Sequence, residues 1–338
     1  MAQITHSQIA KIARISRSTV SRALQNHPAI PEKTRLRIQR LAEKLSYRPN
    51  PLISALMASR SKPRTTAFAI PIATLTAWPP SRDLAPIPSI QRLLRGASDR
   101  ASELGYHLEE FWIDEPGMTG ERLNQILVNR GIVAAMLAPL PDTHSEIQLD
   151  WEQFSIGTFA PNSKIPRFHR ASHFHFNGAC VALEELHRRG YRRPGMILYT
   201  ESDQQVREQY LGGMAAVELR AIFKRKIPPL ILNNGRIDLL ESWLKRYEPD
   251  VVVSDESHTI KCLKNLGCHV PRDIAFAHLD RPPGNEYGGI DQLKELIGRS
   301  VIDLIVAQVN RNERGIPRYS NDIKLAGVWM DGRSVPSL

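Results

Sequence analysis

Residues 7–26, SQIAKIARISRSTVSRALQN, contain the pattern from which the fold of the N-terminal region can be predicted. The apolar residues in its first half recur at helical spacing and predict a helix over 7–14. Ser16 then interrupts that pattern and offers a side-chain oxygen that can accept a hydrogen bond from the unpaired amides of a second helix, over 17–25. Two short helices with a tight joint predict a helix-turn-helix, whose polar second helix fits the major groove of DNA.

A third helix is predicted to begin at Pro31, because proline suits the first helical position and Glu32 places a favourable negative charge in the first turn. Apolar residues that fit one packed face follow, and an aromatic residue closes the helix: Leu36, Ile38, Leu41, Ala42, Leu45 and Tyr47. The N-terminal region is therefore predicted to be a three-helix domain.

The positive charge of the chain is concentrated in this region. Residues 1–62 contain twelve basic and two acidic residues, which accounts for the whole net charge of +10, whereas 63–338 contain 33 of each sign. A small cationic module joined to a neutral body indicates that one end binds a polyanion. A solvated basic face or a basic tail is the alternative, but a tail would lack the apolar periodicity seen here.

The composition excludes several classes of protein. The chain has 338 residues, of which 42% are hydrophobic, so it can bury a large core. It contains no run of about 18 apolar residues that could span a membrane, and its N-terminus lacks the apolar segment of a secretory signal. The three cysteines show no CxxC spacing, which argues against a disulfide scaffold or a zinc finger. We therefore expect a cytoplasmic protein with no membrane partner.

From residue 67 onward, strand patterns alternate with amphipathic helix patterns. Examples are the apolar run 132–137, the helix pattern 178–189 and the apolar run 251–253. This alternation predicts an α/β body with parallel sheets covered by helices, in two doubly wound lobes. Ligands of such folds bind beyond the carboxyl ends of the strands.

The body contains none of the common catalytic signatures. The phosphate loop GxxxxGK[ST], the nucleophile elbow GxSxG, the dinucleotide fingerprint GxGxxG after a strand and the zinc motif HExxH are all missing from the sequence. We therefore expect a protein that is not an enzyme and uses no cofactor.

Residues 7–26, together with the segment YRPNP at 47–51, resemble the head of the lactose-repressor/galactose-repressor family of bacterial transcription factors. Segments of the body, including LHRRGYRRPG at 186–195 and PDVVVSD at 249–255, resemble the effector-binding core of that family, which is similar to periplasmic sugar-binding proteins. The resemblance covers nearly the whole chain. It implies a helix-turn-helix domain over 1–48, a hinge helix and linker over 49–62, and a core over 63–338 with a first lobe at 63–172 and 293–318 and a second lobe at 173–290 and 319–332.

By this resemblance, Arg17 and Ser18 read bases, while Thr19, Ser21 and Arg22 make further groove and phosphate contacts. An arginine can form a paired contact with guanine, although Arg17 could instead contact only phosphate. The other expected DNA contacts are Thr5, Ser16, Thr34, Tyr47 and Asn50.

The same resemblance implies that the hinge helix folds when two copies of the chain meet on DNA. Leu56 occupies the position of the residue that wedges between base pairs in the minor groove. A linker helix that packs on its own core is the alternative. We therefore expect a homodimer on a near-palindromic operator.

Four residues are candidates for binding a small-molecule effector. Asp255 and Asp280 follow strand patterns, Arg207 is predicted in the loop after the strand 196–199, and Trp78 follows the first apolar run. Carboxylates suit sugar hydroxyls, because ionised acceptors make strong hydrogen bonds. The structural alternatives are a helix cap for Asp255, a surface salt bridge for Arg207 and packing between the lobes for Trp78.

The sequence also departs from the family pattern. Pro71 interrupts the first apolar run, so the usual first strand is predicted to be absent, and a proline-rich segment beginning at Trp78 replaces the usual loop. His169, His173 and His175 alternate as metal ligands on one strand face would, but no further ligand set accompanies them, and no metal is predicted.

Together these features predict a transcriptional regulator, most consistent with a repressor, that binds double-stranded DNA and is controlled by a carbohydrate held between the two lobes. An architectural DNA-binding protein is one alternative reading. A DNA-binding head joined to an unrecognised enzyme domain is the other.

Overall fold

A computed structural model describes residues 6–24, 30–45, 47, 69–77, 88–140, 147–159, 166–200, 204–233, 237–284 and 286–338. The chain divides into two compact units. One comprises residues 1–68 with 309–313, and the other comprises 69–308 with 314–338. The predicted hinge helix at 49–62 lies outside the described residues.

The N-terminal unit contains the three predicted helices, α1 (His6–Ala13), α2 (Arg17–Leu24) and α3 (Glu32–Lys44). Ile9, Val20 and Ile38 are fully buried and bring one residue from each helix into a shared core. The side-chain amide of Gln39 also donates a hydrogen bond to the carbonyl oxygen of Ala23, at 3.3 Å, and so ties α3 to α2.

Leu36 does not join this core, contrary to the prediction from the sequence. Its side chain is 46% exposed, whereas Ile38 and Ala42 are buried. Residues two positions apart on a helix do not face the same side, so α3 can bury Ile38 or Leu36 against α2 but not both.

The second unit is built from two six-stranded sheets and the helices that cover them. In chain order its described elements are β1 (Ile70–Thr76), α4 (Pro88–Glu103), β2 (Tyr106–Trp112), α5 (Gly120–Asn129), β3 (Ala134–Leu137), β4 (Ser155–Thr158), β5 (His169–His173), α6 (His175–Arg188), β6 (Pro194–Tyr199), α7 (Gln204–Leu219), β7 (Leu230–Leu232), α8 (Ile237–Tyr247), β8 (Val251–Ser254), α9 (His258–Asn265), β9 (Ala275–His278), β10 (Gly288–Asp291), α10 (Lys294–Arg311), β11 (Asp322–Leu325) and β12 (Val328–Met330). A short 3₁₀ helix covers Trp151–Gln153. None of the described helices has both the length and the apolar character needed to cross a bilayer.

Each sheet forms one lobe. The first sheet has the strand order β11-β5-β4-β3-β1-β2 and is parallel throughout; the second has the order β12-β10-β9-β8-β6-β7, with only β12 antiparallel. The central strands β3, β4, β8 and β9 are buried along their whole length, as expected for parallel strands covered by helices on both faces. These two sheets confirm the predicted α/β class.

The chain passes between the lobes at three places: after β5, after β10 and after β11. The assignment of 319–332 to the second lobe is therefore wrong for β11, which pairs with β5 in the first sheet. Only β12, three residues long, joins the second sheet. The predicted boundary was placed too early because strand pairing across about 150 positions leaves no local signal in the sequence.

The first strand is present, contrary to the expectation that Pro71 removes it. Pro71 lies opposite His107 of β2, while pairing with β3 begins only at Ala73. A proline lacks the amide needed for a second ladder, so it is tolerated where one side of the strand is still unpaired.

Candidate functional site

The N-terminus of α2 is capped by Ser16, as predicted. Its hydroxyl oxygen accepts a hydrogen bond from the backbone amide of Thr19, at 3.1 Å. The same oxygen lies 2.8 Å from the hydroxyl oxygens of Ser18 and Thr19. This hydroxyl cluster defines the first turn of α2, the turn from which a helix in the major groove contacts base edges.

The two sides of α2 differ in chemistry. Val20 and Ala23 are fully buried, whereas Arg17, Ser18 and Arg22 are exposed. Thr19 and Ser21 are half-buried, as are Leu24, Thr34 and Tyr47, and burial raises the pKa of Tyr47. The helix is therefore held by its apolar side and presents a polar, cationic side. Of the other expected DNA contacts, Thr5, Asn50 and Leu56 lie outside the described residues.

The exposed cations of this unit extend beyond α2. Arginines and lysines on all three helices and in the joint after α1 are exposed: Lys11, Arg14, Arg17, Arg22, Lys33, Arg37, Arg40 and Lys44. Such a surface attracts the phosphate backbone of DNA without regard to sequence, while polar side chains at the first turn of α2 can supply selectivity.

A cavity of about 410 Å³ lies in the second unit, at the carboxyl ends of β8 and β9. Asp255 and Asp280 both line it, so the structure brings together two candidates that are 25 positions apart in sequence. The first lobe contributes the start of α4. The full set of lining residues is Pro88, Ser89, Arg92, Asp255, Glu256, Ser257, His278, Asp280, Arg281, Pro282, Pro283 and Lys294.

Asp280 is paired with Lys294, whose ammonium nitrogen lies 2.7 Å from a carboxylate oxygen. Burial opposes ionisation of Asp280, but the adjacent ammonium group outweighs it and lowers the pKa of the carboxyl. Asp280 is therefore a carboxylate at neutral pH and can accept hydrogen bonds from a ligand.

His278 connects the two loops that carry these acids. Its Nδ1 accepts a hydrogen bond from the amide of Asp280 at 3.0 Å, so the proton of the neutral ring is on Nε2, which donates to the hydroxyl of Ser257 at 2.9 Å. Burial lowers the pKa of His278 to about 4, which keeps the ring neutral at physiological pH. The ring thus sets the spacing of the loops after β8 and β9.

Arg92 links the two lobes at the edge of the cavity. From α4 it donates to both carboxylate oxygens of Glu295 at 2.7 Å and to Asp291, the last residue of β10, at 3.1 Å. These hydrogen bonds, chiefly those to Glu295, raise the pKa of Arg92. No local pattern marks this residue as part of a site, because its partners lie about 200 positions away and the surrounding sequence shows only an arginine on an amphipathic helix.

Arg207 is not among the residues that line the cavity, and the loop predicted for it is wrong. It lies inside α7, which begins at Gln204, and its guanidinium donates to the carbonyl oxygen of Thr200 at 3.5 Å. Trp78 lies outside the described residues.

The histidines considered as metal ligands have other roles. The Nδ1 of His169 accepts from the amide of Asn321 at 2.8 Å, and the Nδ1 of His173 donates to the carbonyl oxygen of Leu325 at 3.1 Å. The ring of His175 lies edge-on to that of His173, with centroids 4.9 Å apart. Within the described part of the chain, no group of three or more histidine, cysteine, aspartate or glutamate side chains is arranged to hold a metal ion.

We expect the stability of the protein to fall as the pH decreases from 6.5 to 4. Burial lowers the pKa of both His173 and His278 to about 4, so between these pH values the unfolded chain binds more protons than the folded chain. Each neutral buried ring makes its full contribution to the free energy of unfolding above pH 6.5, the ordinary histidine pKa. That contribution is lost as the pH falls toward the pKa of about 4 in the folded protein, by up to about 3 kcal/mol per histidine. Urea unfolding at pH 7, 5.5 and 4.5 measures it.

His278→Gln should reduce this pH dependence, since glutamine does not titrate. His107→Gln is the matched control, because His107 is exposed and should leave the dependence unchanged. A free energy of unfolding that is constant from pH 7 to 4.5 would contradict the assignment of neutral buried rings.

Residues 6–50 match the family model described as bacterial regulatory proteins, lacI family. The chain is 26% identical over 217 residues to the NTD biosynthesis operon regulator NtdR of Bacillus subtilis (strain 168), a match that covers 61% of this chain and about 60% of that relative.

Solved structures agree in fold. The transcriptional regulator CelR in complex with cellobiose superposes with a TM-score of 0.58 at 18% identity, covering 98% of this chain and 100% of that one. The lac repressor dimer bound to operator and the anti-inducer ONPF superposes with a TM-score of 0.56 at 16% identity, covering 99% and 100%. At this level of identity the similarity establishes the fold and confirms the predicted head and two-lobed core.

Proposed function

We propose that this chain is a member of the lacI family of bacterial regulatory proteins, whose model matches residues 6–50, and that it regulates transcription by binding a specific DNA sequence. The observation that carries the proposal is α2, a helix capped by Ser16 and held on its apolar side, with Arg17 and Ser18 exposed at its first turn. Base edges in the major groove are read from this position in a helix-turn-helix. The surrounding exposed cations supply the contacts to phosphate.

The regulator acts as a homodimer on a near-palindromic operator. A two-fold axis in the protein demands a two-fold axis in the site, and the solved relative of the same fold is described as a dimer bound to operator. In this proposal the hinge helix at 49–62 folds on DNA, and Leu56 of each copy opens the central base step. The regulator works in the cytoplasm, as a repressor without enzymatic activity.

The cavity between the lobes holds the effector, a small carbohydrate. Asp255 and Asp280 line it at the ends of two adjacent parallel strands, where ligands of such folds bind. Arg92 crosses from one lobe to the other beside it, so a ligand that changes the lobe spacing would also change this ion pair. CelR, which shares the fold, was solved with cellobiose. Trp78 and Arg207 remain predicted contributors to the same ligand.

Arg17→Ala should change sequence preference rather than only weaken binding. If Arg17 pairs with a base, its loss costs about 1–3 kcal/mol at one base pair in each half-site and relaxes selection there. Selection of binding sites from a random DNA pool, performed with wild type and variant, measures the effect position by position.

Lys33→Ala is the matched control, because Lys33 is an exposed cation outside α2. It should weaken binding to all sequences about equally and leave the selected pattern intact. The same pattern from Arg17→Ala and wild type would reduce Arg17 to a phosphate contact, and failure of the wild type to select any pattern would contradict sequence-specific binding.

A further inference from the structure

The cations that line the cavity differ in whether a carboxylate is paired with them. Its lining contains three cations and three carboxylates. Two of the cations have carboxylate partners: Arg92 is bound to Glu295 and Asp291, and Lys294 to Asp280. The third, Arg281, does not share this arrangement.

Arg281 is a buried arginine whose guanidinium, among the described residues, is hydrogen-bonded to a backbone oxygen. The residue is 7% exposed, its side-chain Nε donates to the carbonyl oxygen of Tyr287 at 2.7 Å, and its backbone amide donates to the carbonyl oxygen of Ile290 at 2.9 Å. Among the residues that the structure describes, no carboxylate lies within 4.0 Å of its guanidinium. Arg281 also lines the cavity, and no hydrogen bond joins its two terminal nitrogens to another of the described residues.

A buried guanidinium without a counter-ion is costly, because burial removes the water that would otherwise solvate its charge. The backbone contact to Tyr287 orients the group but does not neutralise it. The planar fork of two terminal nitrogens matches the two oxygens of a carboxylate or a phosphate. Because no carboxylate of the described residues pairs with Arg281, its charge favours an anionic group of a ligand as the partner that completes this site.

We propose that the effector is an acidic carbohydrate whose carboxylate is bound by Arg281. This inference rests on the proposed function, since it specifies the ligand of the same cavity. Asp255 and Asp280 accept hydrogen bonds from hydroxyl groups of the ligand, while Arg281 binds its acidic end. Neutral sugars leave the guanidinium without a partner and bind less tightly.

The ligand carries a carboxylate rather than a phosphate. Asp255, Glu256 and Asp280 line the same cavity and repel a second negative charge. A phosphate ester carries about −1.5 to −2 charges at pH 7, whereas a carboxylate carries one. The surrounding acids therefore disfavour the phosphate more strongly.

Titration calorimetry with the full-length protein tests this inference. The probes are glucuronate, galacturonate and gluconate, their neutral counterparts glucose and galactose, and glucose 6-phosphate. We expect at least one sugar acid to bind, about tenfold or more tightly than its neutral counterpart and than the phosphate ester. A neutral sugar that binds as tightly as its acid overturns the inference, and preferential binding of glucose 6-phosphate overturns the choice of carboxylate.

Substitutions of Arg281 test whether this residue causes the preference for the sugar acid. Arg281→Gln should weaken binding of the acid at least tenfold and bring its affinity close to that of the neutral sugar, and circular dichroism shows whether the variant is folded. Arg281→Lys should retain part of the preference for the acid. Arg272→Gln is the control, because it removes the same single positive charge. Arg272 has a side chain that is 70% exposed and is paired with Asp273, so this variant should bind as wild type does.

An unchanged ratio of acid to neutral affinity in Arg281→Gln would overturn the assignment of Arg281. Binding of a neutral sugar without preference for its acid would overturn only the present inference and leave the proposed carbohydrate effector in place. Absence of binding by every probe would contradict both.

Discussion

Removal of residues 1–62 should abolish DNA binding and leave residues 63–338 folded. The deleted segment carries the whole net charge of the chain and the exposed first turn of α2, so both the phosphate contacts and the base contacts are lost. The remaining chain keeps the two sheets and their buried cores. Electrophoretic mobility shift with DNA sites selected by the full-length protein measures the loss, and circular dichroism measures the fold.

The salt dependence of DNA binding by the full-length protein is a second test of the same interface. Its affinity should fall steeply between about 50 and 200 mM salt, because each phosphate contact releases a counter-ion. DNA binding by the 63–338 fragment, or binding by the whole chain that is insensitive to salt, would place the nucleic-acid interface elsewhere.

Gly96→Ala should destabilise the core by about 1–3 kcal/mol, the range for overpacking of a tightly packed interior. A Cβ atom at Gly96 would lie 2.0 Å from the carbonyl oxygen of Glu295, and one at Gly298 would lie 2.0 Å from that of Leu93. The backbones of α4 and α10 therefore touch at both glycines, and a methyl group would separate the helices. The displacement would also strain the contact between Arg92 and Glu295. Urea unfolding measures the change.

Gly212→Ala in α7 is the matched control. Its Cβ would meet only the ring of Phe176 at 3.4 Å, which is ordinary contact. Because alanine favours a helix over glycine by about 1 kcal/mol, this variant should be as stable as wild type or slightly more so. Equal free energies of unfolding for the two variants would show that the close approach of α4 and α10 is not required.

Local patterns were sufficient for the DNA-binding head. Helical spacing, the capping position of Ser16 and the burial of Val20 all follow from residues within one or two turns of each other, and the structure agrees with each. Local patterns were also sufficient to predict that Asp255 and Asp280 line one cavity. Each acid follows its own strand directly, and parallel neighbours end at the same edge of a sheet.

Local patterns failed where the decisive contact is distant or depends on one element's orientation. Leu36 was predicted to be a core residue. Instead, α3 is oriented so that Ile38 packs against the other two helices, and Leu36 is left exposed. Pro71 looked like a strand breaker, but β3 begins to pair with β1 only two residues later. Arg207 looked like a loop residue, but α7 begins before it.

Sequence patterns alone were enough to assign the class of the protein: a cationic three-helix head, an α/β body and acids at the ends of its strands. Three further features became visible in the folded chain: β11 belongs to the first sheet, Arg92 joins the lobes through Asp291 and Glu295, and Arg281 is buried beside the cavity with no carboxylate of the described residues paired to it. The two groups of features differ in how far apart along the chain their contacting residues lie. Helix periodicity, caps and strand ends are written within a few neighbouring residues, whereas sheet partners and ion pairs depend on chain segments 150 to 200 positions apart, which only folding brings together.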